Sequence, residues 1–307
     1  MRGRAVALGA GTVLNALATG RGAAFALDAE TTATVDLDDT GTVEGSVADD
    51  PGADTGLIER CVELVVDRYG DGEGGHVRTE SEVPMAAGLK SSSAAANAAV
   101  LAALAALDVP VTDDPGAAAG SGPGADPGRG DAGGLTRETA CRLGVAAARD
   151  AGVTVTGAFD DASASMLGGV TVTDNRADEL LARDEVTWDA LVWTPPERAH
   201  SADADVARCE RVAPVADLVA ELALDGRYGT AMTVNGLAFA AALGFSTDPA
   251  VEAMPHVAGV SLSGTGPSVV AVGERDGLER VRDRWTEREG TTWTTTTRTD
   301  GARVIDA

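Results

Sequence analysis

The sequence predicts an α/β (α+β) protein, and three observations carry that expectation. Strand-like and helix-like runs interleave from one end of the chain to the other. A length of 307 residues suits two medium domains or one large one. The residues are 44% hydrophobic, enough to build a core and to argue against disorder of the whole.

Ala5–Leu8 is a short apolar run, expected as a buried strand. The cluster Gly9-Ala10-Gly11 behind it reads as a turn between strands. A dinucleotide-binding loop would need a third glycine and a later acidic strand end, and neither is present. Phe25–Leu27 and Ala33–Leu37 are expected as two further strands, separated by turn-forming Gly and Asp. Leu57–Arg68 has helical spacing, with Leu57, Ile58, Cys61, Val62, Leu64 and Val65 on its apolar side. His76–Val83 alternates as a strand does and stops at Pro84, which cannot donate to a ladder. A glycine-serine loop follows, then an alanine-rich helix from about Ser92 to Leu107.

Val109–Gly134 is dense in Gly, Pro, Ala and Asp and has no apolar period, so 109–134 is expected as a mobile surface insertion. Helical patterning resumes with Thr136-Arg137-Glu138 and runs to about Asp150. Thr154–Phe159 leads into Asp160-Asp161-Ala162-Ser163, a short helix, Gly168-Gly169 and the strand Val170–Thr173. Beyond it come a strand at Ala190–Thr194, helices at Val212–Leu224 and Tyr228–Leu243, and a strand at Gly259–Leu262. Ser263-Gly264-Thr265-Gly266-Pro267-Ser268 then joins that strand to Val269–Gly273, before a charged helix at Leu278–Glu289 and a threonine-rich strand at Thr291–Thr299.

Composition narrows the partners. The 24 basic and 48 acidic residues leave a net charge of −24, which opposes nucleic acid and anionic membrane. Abundant Asp, Glu, Ala and Thr with almost no Lys fits a salt-saturated cytoplasm, where molar salt (Debye length about 3 Å) screens the self-repulsion. Cys61, Cys141 and Cys209 are far apart and odd in number, as expected of buried free thiols in a reducing compartment. No Cys/His spacing matches a zinc site. Ala94–Leu107 is apolar but too short to span a bilayer, and no signal peptide precedes the first strand, so the expectation is a soluble cytoplasmic protein.

One residue stands apart. Lys90 is the only lysine in the chain, and it sits in Pro84-Met85-Ala86-Ala87-Gly88-Leu89-Lys90-Ser91-Ser92-Ser93-Ala94, directly before a helix. Backbone N–H groups and the positive end of a helix dipole can hold phosphate there. Gly88 lets the backbone approach an anion, and Ser91, Ser92 and Ser93 offer hydroxyls to phosphate, to Mg²⁺ or to the helix start itself. The loop lacks the G-x-x-x-x-G spacing of a Walker A motif. Serine capping alone leaves the sole lysine unexplained, so a nucleotide-binding loop is the favoured reading. In Asp160-Asp161 one carboxylate can face a substrate while the other caps the helix. Asp150 lies at a helix end where the dipole disfavours negative charge, so a cation is expected beside it. Gly264-Thr265-Gly266 forms either a tight turn or a concave set of N–H groups that closes over a ligand.

In this order the three motifs resemble the GHMP kinase superfamily. The superfamily's P-x-x-x-G-L-G-S-S-A is similar to Pro84–Ser92, its aspartate segment to Asp160-Asp161 through Leu167-Gly168-Gly169, and its C-terminal glycine motif to Gly264–Ser268. Gly88–Ala98, Thr156–Ser165 and Gly9–Ala16 resemble the archaeal shikimate kinase branch. The likeness covers most of the chain outside 109–134. Lys90 stands where the broader family has glycine, and the first motif lacks the lysine that some members place near the catalytic aspartate.

The resemblance implies a two-domain GHMP fold, with an N-terminal ATP-binding domain over 1–180 and a ferredoxin-like domain over 181–307. It implies transfer of a phosphoryl group from ATP to the 3-hydroxyl of shikimate, with Mg²⁺ as cofactor. Pro84, Ala87–Ala94 and Gly264–Gly266 would bind the nucleotide, Ser92 and Asp150 the metal, and Asp160 would act on the hydroxyl. Another small-molecule kinase of the superfamily, homoserine kinase first, and a non-catalytic ligand sensor are the alternatives.

Overall fold

The computed structural model describes residues 1–48, 50–84, 87–113, 135–154, 156–198 and 204–306. Its strands are β1 (Arg2–Leu14), β2 (Arg21–Asp38), β3 (Val43–Val47), β4 (Gly74–Ser81), β5 (Val111–Thr112), β6 (Leu135–Thr136), β7 (Val170–Asp174), β8 (Glu179–Asp184), β9 (Asp189–Thr194), β10 (Gly259–Leu262), β11 (Val269–Gly273), β12 (Thr291–Thr296) and β13 (Arg303–Asp306). The helices are α1 (Gly56–Tyr69), α2 (Ser91–Ala106), α3 (Arg137–Asp150), α4 (Phe159–Leu167), α5 (Val206–Glu210), α6 (Ala213–Leu224), α7 (Tyr228–Leu243), α8 (Asp248–Ala253) and α9 (Arg275–Trp285).

Seven strands form one sheet in the order β13-β1-β2-β4-β3, with β7 also on β2 and β8 on β7. The long strand β2 organises it. Its first part pairs with β7 (Arg21↔Asp174 to Phe25↔Val170) and its second with β4 (Thr31↔Ser81 to Asp38↔Gly74), while β1 lines its other edge. The two strands expected at Phe25–Leu27 and Ala33–Leu37 are therefore one. Between the β7 and β4 pairings that edge is held by single contacts, Leu27 bridging Thr297 and the Ala26 and Glu30 carbonyls accepting from Arg298 and Glu82 N–H, across the stretch that reads locally as a break.

The turn expected at Gly9-Ala10-Gly11 is likewise strand, inside β1. Its glycines serve packing. A Cβ on Gly11 would strike the Phe25 ring, and one on Gly9 would lie 2.9 Å from Val83 Cγ2.

Helix α2 is apolar all round and buried along most of its length, as a helix inside a core must be. It lies so close to β1 that a Cβ on Gly3 would strike the backbone at Ala102 and Ala106. Around it α1, α3, α4 and the helix-side residues of the sheet (Ala5, Ala7, Ala33, Val35) close one core. The other face of the sheet contributes Val13, Phe25 and Leu27 to a second core with α6 and α7. A four-stranded antiparallel sheet, β10-β11-β9-β12, completes the molecule. Period-two alternation divides its side chains. Ala190, Val192, Val270 and Val272 join the second core, while Leu191, Val269 and Ala271 pack on α8 and α9.

The expected division after residue 180 falls within β8, and β13 returns the end of the chain to the first sheet beside β1. Of the segment 109–134, residues 114–134 lie outside the described residues; Val111–Thr112 pairs in parallel with Leu135–Thr136. The three cysteines are buried free thiols, and burial pushes the thiols of Cys61 and Cys141 well above the ordinary range. Among the described residues no helix is long and apolar enough to cross a membrane.

Candidate active site

The strand-to-helix connection between β4 and α2 brings the glycine-serine loop to the edge of β1. Leu89 is buried and its carbonyl accepts from Ala10 N–H at 3.1 Å. Gly88 has φ +76°, and a Cβ there would strike the Ser263 carbonyl and lie 2.8 Å from that of Gly266. The loop therefore rests on the Ser263–Ser268 turn through backbone, which only glycine permits. Ser263 Oγ donates to the Gly88 carbonyl at 2.8 Å, and Ser268 N–H to that of Ala87 at 3.3 Å.

A buried polar frame fixes the turn in its place. Thr12 Oγ1 accepts from Gly264 N–H and Asn15 Nδ2 donates to the Gly264 carbonyl, both at 2.8 Å. Asn235 Oδ1 accepts from Asn15 N–H at 2.9 Å, and its Nδ2 reaches Ser261 Oγ at 3.0 Å. Three distant stretches of chain are thereby locked together.

Helix α2 begins without a side-chain cap. Lys90 occupies the cap position with φ 65°, and its carbonyl accepts the first helical bond from Ala94. Among the described residues the hydroxyls of Ser91, Ser92 and Ser93 have no partner, and Ser92 is exposed. The first-turn N–H groups and three hydroxyls are free for an anion.

Lys90 itself turns inward. Its side chain is 7% exposed, with Nζ 2.8 Å from Asp161 Oδ1. That oxygen is buried and receives no aligned hydrogen bond. The two observations agree if the contact is an ion pair, which needs proximity and no angle, and the ammonium keeps N–H donors for a ligand. Gly264 leaves space for it, since a Cβ there would lie 2.9 Å from Nζ.

The paired aspartates divide sharply. Asp161 is 20% exposed at the Lys90 ammonium. Asp160 is 4% exposed, packs against Gly22, and accepts from Asn175 Nδ2 at 2.7 Å. Asn175 Oδ1 in turn accepts from Asp160 N–H at 3.0 Å and so caps α4, a task the sequence assigns to one of the aspartates. Burial first, then the neighbouring Asp161 carboxylate, raises the Asp160 carboxyl from 3.8 to about 7; Lys90 and Asn175 pull the other way.

Asp160, the residue expected to act on the hydroxyl, is thus buried against Gly22 and Asn175, while its neighbour Asp161 meets the Lys90 ammonium. Helical geometry explains the difference, because successive residues point about 100° apart and only one of the pair faces the loop. Asp150 is not at this site either. Its expected cation is Arg60 of α1, with Nε–Oδ2 at 2.9 Å, and the carboxylate is 49% exposed. The cleft beside Ser92 and Ser93 is lined by Ala96, Gly144, Val145, Ala148, Thr154 and Ala158 among others, with no carboxylate.

Comparison with known proteins bears on these motifs. The family model described as "GHMP kinases N terminal domain" matches residues 56–123. A shikimate kinase of Halobacterium salinarum is 65% identical over 305 residues, covering 99% of this chain and 100% of that protein. The chain belongs to the archaeal shikimate kinases. A shikimate kinase of Methanosarcina mazei is 45% identical over 287 residues, 93% of this chain and 90% of its own. A crystal structure of homoserine kinase from Cytophaga hutchinsonii superposes with a TM-score of 0.70 at 14% identity, over 99% of this chain and 97% of that one. That likeness shows that this shikimate kinase family member has the GHMP kinase fold. A shikimate kinase is a phosphotransferase acting on an alcohol, and the uncapped serine turn, the ammonium and the adjacent carboxylate are groups that such chemistry uses.

Proposed function

We propose that this chain transfers the γ-phosphoryl group of ATP to the 3-hydroxyl of shikimate, with Asp161 taking the hydroxyl proton. The substrate follows from family membership at 65% identity over nearly the whole chain. The choice of Asp161 rests on one geometric observation: the Lys90–Asp161 pair beside the uncapped start of α2. The hydroxyl oxygen attacks the γ-phosphorus, the bond to the β,γ-bridging oxygen breaks, and the proton passes to Asp161. Lys90 favours the ionised carboxylate beforehand and neutralises charge on the transferring group. The N–H groups of Ser91–Ser93 and their hydroxyls hold the phosphate oxygens. Gly264–Gly266 closes over the reacting end.

The residues fit a divalent cation only together with a nucleotide. Ser92 Oγ has no protein partner and Asp161 Oδ1 no aligned one, yet no group of three acidic, His or Cys side chains stands ready among the described residues. Ser92 would hold Mg²⁺ beside the nucleotide, and the ion would supply neutralisation of phosphate charge. Asp160 supports the site from behind, fixing the first turn of α4 through Asn175.

ADP release in molar KCl with Mg·ATP, offering shikimate, homoserine and mevalonate in parallel, tests the reading. Turnover with shikimate alone, and a product phosphorylated at C3 by NMR, is the expected outcome. Turnover with another alcohol in its place would retain the fold and overturn the substrate; none at all would favour a sensor.

A further inference from the structure

We propose that Asn97 is a positioning residue for the reaction, its side-chain amide holding the helix that carries Asp161 in place against α2. The inference rests on Asp161 as the base, as proposed above, and names what keeps that carboxylate in front of the serine turn.

Asn97 sits about two turns into α2, within Ala94-Ala95-Ala96-Asn97-Ala98-Ala99, and is wholly buried. Its Nδ2 donates to the Ala162 carbonyl of α4 at 2.9 Å. Ala162 follows Asp161 directly. The other end of the amide, Oδ1, is buried with no partner. It faces Gly144 of α3, where a Cβ would lie 3.4 Å from it. Ala96, Gly144 and Ala162 all line the cleft beside Ser92 and Ser93, so the amide lies behind the wall of that cleft.

Stability does not explain an asparagine here. The Ala162 carbonyl lies inside α4, where the N–H four residues on already bonds to it. Nδ2 therefore adds a second bond to a satisfied acceptor, whereas Oδ1 carries the full cost of a buried, unpaired polar atom. Alanine, which fills the neighbouring positions, has no such cost and a higher helix propensity. A residue that the core alone would not choose, in contact with the residue next to the base, points to the reaction.

Among the described residues two polar contacts join α2 and its cap residue to α4: Lys90 Nζ to Asp161 Oδ1 at 2.8 Å, and Asn97 Nδ2 to the Ala162 carbonyl at 2.9 Å. They respond differently to the reaction. The ion pair weakens when Asp161 takes the hydroxyl proton, because the carboxyl is then neutral. The amide bond carries no charge at any stage and stays. On its other side α4 is fastened to β7 by Ser163 Oγ, which donates to Thr171 Oγ1 at 2.9 Å, and to Asn175 by Asp160. Asn97 thus sets a spacing that those contacts leave open, between the first turn of α2 and the Asp161 carboxylate. A displacement of about 1 Å between reacting groups can cost on the order of 10²-fold in rate.

A double-mutant cycle between Asn97→Ala and Asp161→Asn, read by kinetics with shikimate in molar KCl, tests the assignment. Asn97→Ala alone should lower kcat about 10–100-fold. Both KM values should stay within about threefold of wild type, and the urea midpoint should not fall. In the Asp161→Asn background the same change should lower kcat less than about twofold, since the group that it positions is gone. Asn97→Ser, whose hydroxyl is too short to reach the Ala162 carbonyl, should behave as the alanine variant does. Equal losses in the two backgrounds would show that the amide acts on the fold at large and overturn the proposal. Wild-type kcat in both Asn97 variants, a rise in KM alone, or failure of both variants to fold would overturn it as well and leave the reaction standing. Wild-type turnover in Asp161→Asn would instead overturn the base itself, whatever the Asn97 variants do.

Discussion

Asp160 and Asp161 are chemically identical neighbours, and their surroundings make them different groups. Asp161 faces an ammonium at the site; Asp160 is sealed against Gly22 and Asn175, where burial disfavours its charge. Asp161→Asn should therefore lower kcat by about 10²–10⁴ with KM for ATP little changed, whereas Asp160→Asn should cost less than that in kcat. Rapid-quench measurement of ADP formation separates the two, and a larger loss at Asp160 would return the base to that residue. The raised Asp160 carboxyl also has a consequence for stability. Between its unfolded value of 3.8 and about 7 the folded state binds more protons than the unfolded one, so this group's contribution is full below 3.8, falls as pH rises and is gone above about 7. Denaturant unfolding of wild type and Asp160→Asn across pH 4 to 8 should show a falling contribution in wild type that the variant lacks. At this scale Lys90 was legible in the sequence because it is unique, while its partner was not, since nothing local announces which of two adjacent carboxylates turns toward it.

At the scale of elements, the site is a junction of three connections: the serine loop before α2, the Ser263–Ser268 turn, and the start of α4. The frame Thr12–Gly264–Asn15–Asn235–Ser261 holds the turn against the loop and is buried throughout. Asn235→Ala removes the acceptor for Asn15 N–H and leaves that donor buried and unpaired. The expected loss is about 1–3 kcal/mol of stability, read as a lower urea midpoint at unchanged slope, with a raised KM for ATP because the turn loosens over the loop. An unchanged midpoint would show that the turn is held by its backbone contacts to Gly88 alone. The glycine-serine loop and its helix, the alanine helix and most later elements were legible from pattern. The continuity of β2, the strand character of Gly9-Ala10-Gly11 and the pairing of Asp150 with Arg60 were not. Each depends on a neighbour distant in sequence: edges supplied by β4 and β7, the Phe25 ring, and a guanidinium on α1.

For the whole molecule the dominant fact is a net charge of −24 on a fold with the usual buried cores. Such self-repulsion opposes compaction and is screened within about 3 Å at 1 M salt. Thermal unfolding followed by circular dichroism should move to higher temperature as KCl rises from 0.1 to 2 M and the Debye length falls from about 10 Å to below about 3 Å. Sucrose of equal osmolality should do less. A melting temperature independent of salt would mean that the acidic surface is not what limits stability. The two larger sheets among the described residues and their shared core are tied by β13, which returns to β1 after the four-stranded sheet is complete, so unfolding should be followed by probes in both.

By itself the sequence determined the class of the fold, the glycine-serine loop at a helix start and the family, because these lie in local pattern and in contiguous motifs such as Gly88–Ala98. Only the tertiary structure decided which aspartate meets Lys90 and where Asp150 goes. Those are properties of side-chain direction and of charge pairing between segments far apart in the chain, and they come into existence when β1, β2, α2 and α4 pack together.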